Sequence, residues 1–202
     1  MNPILVPCSK HYGARDRRVR PVALAVAHWT ASPPRGPGLP DPARVKAWLA
    51  NAKVQSSTHF VIMRDGSLLQ AASLDERTWH AGGSEWTDPA GVEHDHINAE
   101  SIGFDLENVG PVYMDPGGVG FVDSYHGVYK GAEPVKVGRG LFEPYTPAQL
   151  ATLDEFVRWL AGQIPALRDP ARWVGHQHIM STKIDPGPLF PWEAVRAAIA
   201  SL

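Results

Sequence analysis

Cysteine is nearly absent from this chain: Cys8 is the only one in 202 residues. That excludes an intramolecular disulfide framework and any cysteine-based zinc cluster. Cys8 also lacks the sequence context of a catalytic thiol and reads as inert. Long apolar runs are missing too. The stretch from Val22 to Ala27 is too short for the core of a signal peptide or for a membrane span. The expectation is a chain made in the cytoplasm, with no recognisable export signal and no stable membrane insertion. There is no excess of either charge: 19 basic and 21 acidic residues give a formal net charge of -2, with a pI near 6.5. Without a broad basic field, nucleic acid is not an expected partner. No internal repeat is visible, and the length fits one domain, expected to act as a monomer.

What the chain does have is a chemistry-rich segment near its C-terminus, running from Val174 to Pro188. It carries His176, His178, Lys183 and Asp185, and its Asp-Pro-Gly-Pro end predicts a stiff bend that holds the carboxylate still. Neutral imidazole and carboxylate oxygen suit a zinc ion, and a catalytic zinc takes three protein ligands while leaving one position open. A further ligand has to come from elsewhere in the chain.

Taken in order, residues 1–20 read as an N-terminal arm, in which Arg15, Arg17, Arg18 and Arg20 are solvated. Residues 21–202 read as one catalytic domain. Pro21 to Ala27 is a continuous apolar run, expected as a strand buried on both faces that delivers His28 at its end. Asp41 followed by Pro42 reads as an N-cap and first turn, opening a helix through Val45, Trp48 and Leu49 to about Asn51. Arg64-Asp65-Gly66-Ser67 between two apolar runs predicts a hairpin, and His59 inside its first strand reads as structural. Trp79 and His80 fall in a loop suited to the edge of a polar groove. Glu93-His94-Asp95-His96 reads as a solvated loop.

Residues 101–108 alternate, with Ile102, Phe104 and Leu106 on one face and Asp105 and Glu107 on the other. Residues 109–145, rich in Gly, Pro and Tyr, read as an excursion carrying a hairpin. Thr146-Pro147-Ala148-Gln149 is a capping box, followed by a stripe of Leu150, Leu153, Phe156, Val157 and Leu160. Trp173 and Val174 predict a strand leading into His176, and Pro191 opens a closing helix. Strands interspersed with helices give an α/β class, with a single mixed β-sheet flanked by helices.

Together these pieces resemble a known family. His28 after its strand, Thr58-His59-Phe60, Trp79-His80-Ala81-Gly82, Ser101-Ile102-Gly103-Phe104-Asp105, Gly175-His176 and Lys183-Ile184-Asp185-Pro186-Gly187-Pro188 look like the zinc-dependent N-acetylmuramoyl-L-alanine amidases. That family shares the fold of peptidoglycan recognition proteins. Six motifs in one order are far more specific than any one of them. The resemblance implies Zn2+ held by His28, His176 and Asp185. It also implies hydrolysis of the amide between N-acetylmuramic acid and L-alanine in peptidoglycan or a muropeptide.

In the resemblance, Lys183 matches the lysine that stabilises the oxyanion, and Asp105 stands where recycling-type members have a glutamate as general base. Glu107 is the reserve for that duty. His80, Trp79, His178 and Thr58 are implied around the substrate groove. Residues two apart on a strand share a face, so spacing does not separate His176 from His178, whereas the Gly-His motif selects His176. The excursion favours a phage-type endolysin or other lytic enzyme acting on the cell wall. The alternatives are a cytoplasmic muropeptide-recycling amidase, a non-catalytic peptidoglycan-binding module, and an iron oxygenase with two histidines and a carboxylate, which the ligand types alone permit.

Overall fold

The computed structural model describes residues 1–8, 13–16, 18–118 and 120–202. Arg17, read above as part of the solvated arm, lies outside the described residues. The strands in chain order are β1 (Ile4–Leu5), β2 (Gly13–Ala14), β3 (Leu24–Trp29), β4 (Phe60–Ile62), β5 (Leu68–Gln70), β6 (Glu76–Arg77), β7 (Trp86–Thr87), β8 (Glu93–His94), β9 (Ser101–Leu106), β10 (Pro111–Met114), β11 (Phe121–Asp123), β12 (Val135–Val137), β13 (Gly140–Phe142) and β14 (Trp173–Gly175). The helices are α1 (Pro42–Ala50), α2 (Ile97–Glu100), α3 (Pro147–Gln163), α4 (His176–Ile179) and α5 (Trp192–Ala200).

A six-stranded sheet in the order β1-β5-β4-β9-β3-β14 forms the centre. Only the β4–β5 hairpin is antiparallel within it, so the sheet is mixed, as expected. Alternation along the strands sorts side chains to two faces. Ala25, Ala27, Phe60, Ile62, Ile102, Phe104 and Leu106 pack against Leu153, Phe156, Val157 and Leu160 of α3 and Val195 and Ile199 of α5. The opposite face is covered in two patches. Val61, Met63 and Leu69 meet Val45 and Leu49 of α1, whereas Leu24, Val26 and Val174 meet Ala81, Ile97 and Ile179. His28 and Asp105 share the parity of that second face, on neighbouring strands.

Local signals set the helix starts where the sequence placed them. Asp41 accepts a hydrogen bond from Arg44 N at 3.1 Å, and Thr146 and Gln149 form the full capping box. Gln149 also donates to Ile62 O and Glu107 O, tying the start of α3 to the ends of β4 and β9. Leu150 departs from its expected place in the stripe and is exposed. In that first turn Gln149, four residues before Leu153, takes the inward position instead.

Four other expectations are corrected. The N-terminal arm is not irregular: β1 adds to the edge of the main sheet, and β2 pairs with β6. Arg15 is not solvated, because its guanidinium is buried and donates to Ser101 O at 2.6 Å and Glu76 O at 3.0 Å. Residues 109–145 form more than a hairpin: they build a second antiparallel sheet, β11-β10-β13-β12, around Val109, Val112 and Tyr129. Finally, His94 is half-buried on β8, with Nδ1 2.6 Å from Glu100 Oε2, rather than in a solvated loop.

The capping box provides a stability test. Thr146→Ala removes the acceptor for Gln149 N and the hydroxyl that donates to Arg64 O. We expect about 1–2 kcal/mol of destabilisation, seen as a lower urea midpoint with an unchanged m value.

Candidate active site

The parallel register of β3 and β9 sets His28 directly beside Asp105. On the other side of β3, β14 pairs Gly175 with Ala27, so His176 follows level with His28. There the chain leaves the sheet into α4. Asp185 arrives from the bend beyond α4, which Gln177 N fastens by donating to Asp185 O (3.0 Å) and Tyr145 by donating to Pro186 O (2.7 Å). Gly187, at φ +81°, passes so close to Trp29 that a Cβ would lie 2.4 Å from its ring. Only glycine suits this crossing.

Asp185 Oδ2 lies 2.8 Å from His28 Nδ1 and 3.1 Å from His176 Nδ1, and all three side chains are buried. Their ligand atoms lie within 4.8 Å of one another. Among the described residues, the buried His176 Nε2 has no hydrogen-bond partner. Burial alone would raise the Asp185 carboxyl, but the His176 and His28 imidazoles beside it outweigh that and hold the group well below the usual carboxylate range. Two imidazoles and a carboxylate gathered so tightly fit a divalent cation with nitrogen and oxygen ligands.

Asp105 is 5% exposed. Burial pushes its carboxyl up to about 6, against the pull of His28 and a hydrogen bond from Thr58. The cleft around these groups has a volume of about 270 Å³ and is also lined by Trp29, Trp79, His80 and Lys183. Lys183 is exposed at the cleft's edge. Burial, then the His28 and His59 rings, hold His80 well below the usual imidazole value.

Not every residue selected from the sequence reaches the cleft. Thr58 is fully buried behind Asp105 and supports that carboxylate instead of lining the groove. His178 turns away: α4 makes a helical turn where a strand was expected, so residues two apart no longer share a face. Its Nδ1 accepts from Gly175 N at 2.9 Å, and its ring lies against Trp192. Glu107 is engaged elsewhere, buried against Arg64 at 2.9 Å and accepting from Asp41 N, so it is no reserve base. The sequence reading missed the cleft role of Trp48, whose indole N–H donates to Ser56 Oγ at 2.8 Å. Its helical spacing from Val45 carries only a core signal.

A buried triad of two imidazoles and a carboxylate, with a second carboxylate and an ammonium beside it on a mixed sheet, has the composition of a site that metal-dependent hydrolases use. The sequence profile described as N-acetylmuramoyl-L-alanine amidase matches residues 18–188. The chain belongs to this family, and it hydrolyses the amide between N-acetylmuramic acid and L-alanine.

Among its relatives is the 1,6-anhydro-N-acetylmuramyl-L-alanine amidase AmpD of Salmonella typhimurium, 29% identical over 95% of this chain and 88% of that protein. The AmpD of Escherichia coli is 27% identical over 95% and 90%. In solved structures, the fold recurs in an AmpD crystal structure, at TM-score 0.65 and 24% identity over 97% of this chain and 93% of that one. The amidase AmiD from E. coli, in complex with the substrate anhydro-N-acetylmuramic acid-L-Ala-D-gamma-Glu-L-Lys, aligns at TM-score 0.62 and 26% identity, covering 93% of this chain and 59% of that one.

The triad has a direct test. His176→Ala and Asp185→Ala should each lower bound divalent metal from about one ion per chain to a small fraction of that. Elemental analysis of the purified proteins reads the stoichiometry, and circular dichroism checks that the fold survives.

Proposed function

We propose that the resident metal is zinc, held by His28, His176 and Asp185, and that the substrate is a 1,6-anhydromuramyl peptide fragment of peptidoglycan. The observation that carries the metal assignment is the convergence of three buried ligand atoms on one point, with Asp105 on the adjacent strand. When bound, zinc supplies Lewis acidity that polarises the scissile carbonyl and acidifies an attacking water. Asp105 is placed to take the proton from that water and to return it to the departing nitrogen of L-alanine. An upward-shifted carboxyl suits both halves of that duty, since it neither holds nor releases a proton too firmly. Lys183 lines the same cleft, and its ammonium would supply the counter-charge that negative charge on the carbonyl oxygen needs. Trp79 and Trp48 offer flat apolar walls for the sugar or the peptide stem.

The fragment substrate is supported by relatives named for 1,6-anhydromuramyl substrates that match over nearly the whole chain, and by the anhydromuramyl ligand bound to AmiD. The lytic expectation rested on the excursion. Among the described residues, however, none of 109–145 lines the cleft. They pack behind Trp29 and Pro186 instead.

Two measurements check this reading. Asp105→Asn should lower kcat by ~10²- to 10⁴-fold, the usual contribution of a positioned acid–base group, while bound zinc stays unchanged. Loss of zinc in that variant would instead make Asp105 part of the metal site. In addition, release of new L-alanine amino termini should be at least about tenfold faster from an anhydromuramyl tripeptide than from intact sacculi. Equal or faster cleavage of sacculi would restore the lytic role.

A further inference from the structure

A chain of hydrogen bonds leads away from the metal site through a residue the amidase reading leaves at the groove edge. His28 Nε2 lies 3.1 Å from His80 Nδ1, His80 Nε2 lies 2.9 Å from Ser101 Oγ, and Ser101 Oγ lies 2.5 Å from Ile97 O. The protons can be placed by elimination, starting from the far end. Ile97 O is a carbonyl and can only accept, so the single hydroxyl proton of Ser101 points to it. Ser101 Oγ therefore accepts from His80, which places a proton on His80 Nε2.

At the other ring nitrogen, either His80 or His28 donates. If His80 donated from Nδ1 as well, it would be an imidazolium packed beside His28 and His59, with Arg15 Nη2 in turn 3.4 Å from His59 Nε2. Among the described residues, no carboxylate is hydrogen-bonded to it. A buried cation without a counter-charge is costly, so His28 is the donor. His28 then holds its proton on Nε2 and turns a bare Nδ1 toward Asp185 Oδ2, 2.8 Å away. Two lone pairs facing each other at that distance repel unless a cation lies between them.

We propose that His80, fixed by Ser101, is a positioning residue that sets the tautomer and ring orientation of His28 so that Nδ1 is its metal-binding atom. This rests on the zinc reading above. The surroundings are built for the task. The His80 ring lies over Gly103, where a Cβ would come 2.5 Å from its Cγ, so any larger residue would push the ring off line. Asn98 Oδ1 accepts from both His80 N and Ala81 N, at 3.0 and 2.9 Å, and pins the backbone that carries the ring. By contrast, the Nε2 of His176 has no hydrogen-bond partner among the described residues, whereas that of His28 does.

The test compares wild type, His80→Asn, His80→Leu and Ser101→Ala by competition between protein and a zinc chelator. It adds long-range 1H–15N correlation on the 15N-histidine-labelled, zinc-loaded wild type. Removing the acceptor in His80→Leu should weaken zinc binding by about 10- to 100-fold. His80→Asn can present Oδ1 near the place of Nδ1 and should stay within about threefold of wild type, with Ser101→Ala in between. The spectrum should show His28 protonated on Nε2. Equal affinity in all four proteins, equal losses in the Asn and Leu variants, or a His28 proton on Nδ1 would each overturn the assignment. A wild type that binds no zinc would overturn the metal reading, and this inference with it. Should the Leu variant fail to fold, the Asn variant and the wild-type spectrum still decide.

Discussion

The parallel pairing of β3 with β9 is the constraint on which the site depends. One register sets His28 beside Asp105, and the same register sends Ala27 and Phe104 into the core beneath them. A slip of one residue would exchange those faces, placing an imidazole and a carboxylate against Phe156 and Val157. The apolar packing of α3 and α5 therefore fixes the distance between His28 and Asp105. It does so without touching either one. Phe156 makes the point: its ring meets Phe60 and Phe104 at centroid distances of 5.1 and 5.2 Å, spanning the two strands next to each other on one side of the site.

A second restraint lies just below the cleft. Arg64 is almost wholly buried and makes a two-pronged contact with Glu143 at 2.9 and 2.9 Å, pairs with Glu107 at 2.9 Å, and donates to Ser32 O at 2.6 Å. Arg64 and these partners belong to four segments: the β4–β5 turn, the end of β9, the root of the excursion, and the loop after β3. A buried guanidinium between two carboxylates is compensated only when all its partners are in place, and such a cluster fixes geometry more than it adds stability. It explains why Glu107, one alternation along from Asp105, has no part in the chemistry.

The excursion follows the same logic. Its small sheet closes on Val109, Val112 and Tyr129, and Gly110 lies so close to Trp29 that a Cβ would come 2.6 Å from the indole. Trp29 in turn touches the bend that carries Asp185. The excursion therefore braces the segment that carries Asp185 from behind, and the open side of the cleft is left to Trp48, Trp79 and Lys183.

Much of this was legible in the chain. Asp41-Pro42 and the Thr146–Gln149 box start helices through local hydrogen bonds, Asp65-Gly66 turns a hairpin through local backbone freedom, and alternation from Ile102 to Glu107 sorts two faces by period alone. Such features need only near neighbours in sequence. The spaced motifs, likewise, were enough to name the family and its candidate ligands. Tertiary structure alone decided which polar groups are spent on one another: Glu107 on Arg64, His178 on Gly175 N, Arg15 on Ser101 O, and His80 on His28. Each pairing joins segments or turns whose meeting depends on how the whole sheet packs. A polar residue's partner is set by that long-range geometry, and a linear pattern carries no record of it.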